Sequence, residues 1–374
     1  MKVSIQEQGN KEYPSPRRHW KSMGALKYAR DNALRIARDD FKQRYSSGAP
    51  PRQLMSDLHL GHEHVSFFIN HLESILNDLP RGFYAIEIGA GTGIHAALLA
   101  AHGAGNVVAT EYSWDDTTPH SAENAHTMYR LTQLHPALNS VYELVRDSSL
   151  TVTGVRFSPI LHFVCADGRS LPFPDEITDF AYTINCLEHI HDLSSVFGEI
   201  ERIVKFGGSF FASAQPLFFS AYGHHLADIF PLPWGHLLWE RDELIDLVMK
   251  ETDITRGWRN GNTLTRNRVE AILDECLNYV TPAEIRNSLR KGTWRVKGWS
   301  DITCPEDESL AREIRLFDAI KGIPAENIFL VGIHFHLQKV RSGRGIRLAL
   351  RTSHIIRHRY RPLINFIKGF IRKA

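Results

Sequence analysis

The sequence predicts an α/β fold: a doubly wound, mostly parallel seven-stranded sheet with a helical and aromatic lid inserted after the fifth strand. Three observations carry this expectation. Short apolar and β-branched runs alternate with helical periodicity between residues 65 and 214. A glycine-rich turn, Gly89-Ala90-Gly91-Thr92-Gly93, joins the first such run to an alanine- and leucine-rich helix. Beyond residue 214 the alternation stops, and two more strand-like runs return only after residue 292.

Residues 1–58 form a polar arm punctuated by Pro14, Pro16, Pro50 and Pro51. Within it, residues 22–45 interleave alanine, leucine and isoleucine with Arg and Lys, which predicts a helix serving as a cap or a loosely attached arm. The core spans 59–214. It opens with a helix over 65–79, apolar at 65, 68, 69, 72, 75 and 76. The first strand is 84–88, and the helix after the glycine turn aims free N–H groups into the crevice at the strand's carboxyl end. The second strand, 106–110, ends at Glu111, and a helix over 121–134 starts from Ser121 as N-cap. Residues 139–158 read as an excursion. Strands follow at 160–165 and 179–184, then a helix over 193–204, a closing Phe206-Gly207-Gly208, and a fifth strand at 209–214.

The insertion occupies 215–292 and is rich in aromatics, histidine and proline, with helical periodicity at 268–279 and 282–290. Residues 293–338 complete the sheet with strands at 293–299 and 327–336 around a helix at 306–320. No internal repeat interrupts this order.

Composition narrows the class. Hydrophobic residues make up 43% and charged residues 23%, as in ordinary globular proteins. The four cysteines form no CxxC pair, which argues against a disulfide framework or zinc ribbon and suits a reducing cytosol. No apolar signal region opens the chain and no uncharged run is long enough to span a bilayer, so the expected location is cytoplasmic. The net charge of +2 hides an asymmetry: residues 339–374 hold eleven Lys and Arg and no acid, while the remainder carries a net of −9. In that tail Leu363, Phe366, Ile367, Phe370 and Ile371 share a helical face, with Lys368, Arg372 and Lys373 off it. Such a tail suits an anionic membrane surface, peripheral at the inner face. A solvated, partly disordered tail is the plainer reading. Nucleic acid is disfavoured, because the body is acidic and no further RNA-binding module is recognisable.

The crevice asks for a particular ligand. Glu111 stands at the end of the second strand, eighteen residues after Gly93, where a carboxylate accepts from both ribose hydroxyls. Ile94 occupies the position at which a G-x-G-x-x-G dinucleotide fingerprint needs glycine, and no Gly-Lys-Ser/Thr phosphate loop is present. What stands instead is Glu87-x-Gly-x-Gly-x-Gly, followed by Asp167-Gly-x-x-Leu-Pro-Phe173, Leu187-Glu-His-Ile190 and Val204-Lys-Phe-Gly-Gly208. With these stations the stretch 82–215 resembles the class I S-adenosylmethionine-dependent methyltransferases, Rossmann-like and of the type 11 kind. The resemblance implies S-adenosylmethionine as cofactor. It implies that Glu87, Gly89, Ala90, Gly91 and Gly93 contact the methionine part and that Glu111 holds the ribose. Tyr112 would pack on adenine, and Asp167, followed by Gly168, would accept from the adenine amino group. Asn185 and Cys186 would line the floor. The proline missing at Phe206 concerns turn rigidity rather than chemistry.

The insertion must supply the acceptor half. A hydroxyl nucleophile benefits from a general base, and Gly223-His224-His225-x-x-Asp228 is the densest candidate. On a helix His225 and Asp228 would share a face, with the carboxylate orienting the imidazole. The plainer reading makes these residues only the lid's framework. His189 is a second candidate base, although in the family that position belongs to the fold's own turn. A divalent metal on His224, His225, Asp228 and His236 is an alternative, and the expectation is no metal. His59, His62, His64 and His71 cluster without a carboxylate or cysteine to complete a ligand set. Phe218, Phe219, Tyr222, Trp234 and Trp239 would stack on a flat acceptor or build the lid's core.

The Gly-His-His and Pro-Trp-x-His-Leu stretches resemble methyltransferases of bacterial surface-glycan and glycolipid assembly. The expected function is therefore methyl transfer to oxygen of a sugar or glycan precursor. Its rivals are another small-molecule or lipid acceptor at O, N or C, and a non-catalytic scaffold of the same fold.

Overall fold

The computed structural model describes residues 13–46, 67–91, 93–102, 104–112, 155–156, 161–227, 229–252, 265–274, 277–289 and 293–341. The chain divides into two compact units, 1–341 and 342–374. The expected helix at 121–134, most of the excursion at 139–158, Asp228 and the amphipathic tail lie outside the described residues.

Eight strands form one sheet: β1 (Tyr84–Ile88), β2 (Asn106–Glu111), β3 (Val155–Arg156), β4 (Leu161–Cys165), β5 (Thr178–Ile184), β6 (Val204–Ala214), β7 (Trp294–Thr303) and β8 (Leu330–Lys339). Their order is β3-β4-β2-β1-β5-β6-β8-β7. β4, β2, β1, β5 and β6 run parallel, whereas β8 is antiparallel to both β6 and β7. The expected sheet had seven strands. The eighth is β3, whose two residues pair antiparallel with the outer edge of β4 and are too few to show a period.

β1 is buried on both faces, with Ala85, Ile86 and Ile88 at 2% exposure or less. Helix Leu193–Ile203 covers one face through Leu193, Val196, Phe197, Ile200 and Ile203, an i, i+3, i+4 stripe. Asp192 caps it by accepting from the Ser195 N–H at 3.1 Å. Helix Ile94–His102 packs beside β1 and β2 through Ala96 and Leu99.

Two expected boundaries shift for physical reasons. Gly207-Gly208, read as a turn, lies inside β6, because Val204 already pairs with Thr178 and the register slips before Phe180. The helix expected at 306–320 is two, Pro305–Glu313 and Leu316–Ala319, broken where Arg315 adopts φ +55°.

The N-terminal helix Met23–Ser46 is a clamp rather than a loose arm. Leu26, Ala29, Ala33 and Ala37 are fully buried at spacings of three and four, and the alanines allow close approach. Arg30 Nε donates to the Leu238 carbonyl at 2.6 Å, and Trp20 Nε1 donates to that of Leu237 at 3.0 Å. Arg38 forks onto Glu251 at 2.8 and 2.6 Å. All these acceptors lie in the insertion. Its described helices are Gly235–Leu238, Arg241–Thr252, Arg266–Asp274 and Pro282–Leu289. Residues 217–227 fold instead as successive tight turns, such as Gly223 N–H to the Ser220 carbonyl at 3.2 Å and His225 N–H to that of Tyr222 at 3.0 Å.

Candidate functional site

Five parallel strands end at a common edge, and the residues after each end stand there in sheet order. Ala166 and Asp167 follow β4, Glu111 ends β2, and Gly89 follows β1. Asn185 and Cys186 follow β5, and Gln215 follows β6. The chain runs outward from β1 through β2 to β4, then returns to β5 and β6 on the other side, so the crevice opens between β1 and β5. At roughly 4.8 Å per strand, β4 to β6 spans about 19 Å.

At the switch point the backbone comes very close. A Cβ on Gly89, which has φ +67°, would sit 2.0 Å from Cys186 Sγ, so only glycine fits there. Burial pushes the Cys186 thiol well above its usual range, and the nearby Glu111 and Glu188 add to this. Glu111 anchors the turn. Its Oε2 accepts from Gly91 N–H at 2.7 Å and its Oε1 from Tyr112 N–H at 2.8 Å. Each oxygen keeps one lone pair, as two ribose hydroxyls require. These residues therefore fit S-adenosylmethionine.

Glu87 departs from the expected direct contact with the methionine part. It is 1% exposed and lies under the turn, accepting from the Tyr182 hydroxyl and the Ala96 N–H, each at 3.1 Å. It thereby fixes the start of helix Ile94–His102, and burial raises its carboxyl well above the carboxylate range. Ala90 N–H is already bonded to the Thr110 carbonyl at 2.8 Å, and Gly93 N–H to that of Ala90 at 2.8 Å.

Asp167 stands at the β4 end in a partner-rich setting that the sequence reading missed. Arg169 donates to Oδ1 through its backbone N–H at 2.9 Å. Its Nε lies 3.0 Å from both carboxylate oxygens, and its Nη2 donates to Oδ2 at 2.7 Å. Burial alone would raise this carboxyl, but the Arg169 bonds and charge outweigh it and hold it below its ordinary value. Gly168 lets the turn lie on Ile88, whose Cγ2 would be 3.1 Å from an added Cβ. Tyr112 is 43% exposed beside this end of the crevice, and its carbonyl accepts from the Cys165 thiol at 3.0 Å. Asn185 is exposed at the β5 end with φ +50°, held by Ser213, whose hydroxyl donates to Oδ1 at 2.8 Å and whose carbonyl accepts the Asn185 N–H at 2.9 Å.

On the acceptor side the two adjacent histidines separate. His224 is fully buried. Its Nδ1 accepts from Leu226 N–H at 2.9 Å, so its Nε2 donates to the Leu232 carbonyl at 2.8 Å. Both nitrogens are used, which corrects its candidacy as base or metal ligand. His225 is half-buried at the crevice, with φ +58°, and its ring lies 5.0 Å from that of His189. A carbonyl can only accept, so His225 Nε2 donates to Pro216 O at 3.1 Å and Nδ1 carries the lone pair. Burial, with His189 next, lowers its pKa to about 3, so the ring is neutral near pH 7.

His225 lies in a turn rather than on a helix. Asp228, its expected partner, is outside the described residues. Among the expected aromatics, Phe218, Trp234 and Trp239 are buried as lid core, while Phe219 and Tyr222 stay partly open.

Glu188, another unforeseen member, is 3% exposed, with Oε1 accepting from Gln215 N–H at 3.2 Å. Burial lifts its carboxyl to about 8. Its place inside Leu187-Glu-His-Ile190 was visible, but its burial was not.

The family model described as a methyltransferase domain matches residues 86–212. Three solved structures are similar. One is a Listeria monocytogenes protein assigned to the S-adenosylmethionine-dependent methyltransferases: 14% identity, TM-score 0.39, covering 72% of this chain and 97% of that one. A Methanosarcina mazei protein of the same description has 15% identity and TM-score 0.38, over 72% and 98%. One from Mesorhizobium loti has 13% identity and TM-score 0.38, over 71% and 96%.

Proposed function

We propose, from the premise that residues 86–212 form a class I S-adenosylmethionine-dependent methyltransferase domain, that the chain methylates a hydroxyl oxygen of a sugar or glycan precursor. The bound cofactor supplies a methyl group on a sulfonium, which is already a strong electrophile. What the chain adds is position: Asp167, Glu111 and the glycine turn hold the adenine, ribose and methionine parts along the edge, and Asn185 lies beneath the transfer point. One observation carries the choice of a hydroxyl acceptor. His225 is locked by Pro216 in the tautomer that leaves the lone pair on Nδ1, which can accept a hydrogen bond from a hydroxyl and orient it. With its pKa lowered to about 3, the ring takes the proton only as the oxygen gives it up to bond the methyl. Phe219 and Tyr222, partly open nearby, supply faces on which a sugar ring can stack.

A lipid-linked precursor is the favoured form of the acceptor. The basic tail at 339–374 would lie on anionic lipid at the cytoplasmic face, bringing the crevice to its substrate. Among the described residues no helix is long and apolar enough to cross a membrane.

Calorimetry tests the cofactor half. Wild type should bind S-adenosylmethionine, and Glu111→Ala or Asp167→Ala should weaken it by about 10- to 100-fold, the worth of a charge-assisted hydrogen bond. Absence of binding by wild type would sink the enzyme reading. Transfer of labelled methyl to a panel of free, nucleotide-linked and lipid-linked sugars tests the acceptor half; labelling only of carbon or nitrogen acceptors counts against it. For the tail, equal pelleting with anionic liposomes of the full chain and of a chain ending at Val340 would defeat the membrane role.

A further inference from the structure

We propose that Arg169 is the positioning residue of the adenine subsite, holding the Asp167 carboxylate so that one acceptor direction on Oδ2 stays open for the exocyclic amino group. This rests on the cofactor reading above. A carboxylate has about four lone-pair sites. Arg169 brings three hydrogens to them: its backbone N–H on Oδ1 at 2.9 Å, Nε–H at 3.0 Å from both oxygens, and Nη2–H on Oδ2 at 2.7 Å. With the shared hydrogen counted to Oδ1, as in a parallel fork, Oδ1 is full and Oδ2 keeps one site. An oriented anionic acceptor with a single free site selects a donor. Adenine offers its amino group there. Hypoxanthine offers a carbonyl oxygen, which an acceptor repels.

The surroundings separate this role from support of the loop. The turn is held without Arg169. Arg202 Nη2 donates to the Leu171 carbonyl at 3.0 Å and Nη1 to that of Phe173 at 2.6 Å, while Glu199 Oε2 accepts from Leu171 N–H at 2.7 Å. Gly168 seats the turn on Ile88. The nearby Asp192 carboxylate is engaged with Ser195, through N–H at 3.1 Å and the hydroxyl at 2.6 Å, so it does not compete for the fork. Removing the fork leaves Asp167 with one local backbone bond and a carboxylate free to rotate.

The test is a titration of the full chain with two probes, S-adenosylmethionine and its analogue carrying hypoxanthine in place of adenine. Wild type should prefer adenine by about 100-fold or more, since an oriented polar group strongly rejects a mismatched partner. Arg169→Gln should cut that preference at least tenfold. Arg169→Lys, which keeps the charge but loses the planar fork, should cut it too and stands in if the Gln variant fails to fold. Asp167→Asn should abolish it. Equal weakening toward both probes, or an unchanged preference in the folded Arg169 variants, would overturn the positioning role. Wild type that binds neither probe overturns the cofactor reading itself, a distinct result.

Discussion

His224 and His225 are neighbours in sequence whose hydrogen bonds give them opposite tasks. In His224→Ala the Leu226 N–H loses its partner inside a fully buried site, while the Leu232 carbonyl keeps only its bond from the Gly235 N–H at 3.2 Å. At about 1–3 kcal/mol for an orphaned group, chemical denaturation should report a loss of roughly that size. His225→Ala should leave stability and cofactor affinity nearly unchanged but lower kcat by about 100-fold or more, the usual worth of a positioned base. Turnover that survives in His225→Ala removes it as base. Little of this contrast was legible in the sequence, because the deciding partners are main-chain carbonyls at 216 and 232 that only the folded turns bring near. Glu111 and Asp167 were legible because each sits at a fixed spacing just beyond a strand. Arg169 was legible in principle: it lies two residues after Asp167 in a turn, within reach of the carboxylate without help from the rest of the fold.

Elements were read more faithfully than their partners. The periodicity of the N-terminal helix announced the helix, but a stripe of alanines carries no hint of which surface it covers. That surface is shared between the insertion and the helices at 305–319, where Arg35 donates to Glu313 at 2.6 Å and Arg315 lies over the Tyr28 ring. Glu251 is 7% exposed, and its counter-charge in this setting is Arg38, which forks onto it from the helix. Arg38→Ala therefore leaves a buried carboxylate without that partner, a costly state. Hydrogen exchange should speed up in helix Arg241–Thr252 while β1 and β5 keep their protection. Uniform loosening, or none, would show that the helix does not clamp the insertion. Gly207 and Gly208 misled for the opposite reason: glycine marks a bulge within a strand as readily as a turn, and strand pairing decides which.

At the scale of the whole molecule, buried titratable groups set the pH of greatest stability. Burial lowers His224, His334 and His336 to about 4, His225 to about 3, and holds His236 well below its ordinary value. Below about pH 6.5 the unfolded histidines take up protons that the native ones refuse, so stability falls with falling pH, by up to about 1.4 kcal/mol per unit for each. The buried carboxyls act with the opposite sign. Glu188, raised to about 8, Glu87, raised well above its ordinary value, and Asp307, raised to about 6, hold protons in the native state that the unfolded state releases above about 4.5. Between pH 4.5 and 6.5 the five histidines outweigh these acids. From 6.5 to 8 Glu188 still acts, with Glu87 shifted in the same direction, and stability falls as pH rises. Urea midpoints should therefore peak near pH 6.5. A midpoint that climbs steadily from 6.5 to 8 would contradict the neutral state of those two carboxyls.

The place of β8 between β6 and β7 has a consequence for how the chain is made. During synthesis β6 is complete at Ala214, yet the strand that pairs with its free edge starts only at Leu330, 116 residues later. At about 5–20 residues per second the ribosome takes roughly 6–23 s to deliver it. Throughout that interval an apolar strand carrying Phe210 and Phe211 has one unpaired edge, the kind of surface on which nascent chains stick to one another. A chain released before residue 330 keeps that edge bare, so premature termination yields aggregate, not a shorter enzyme.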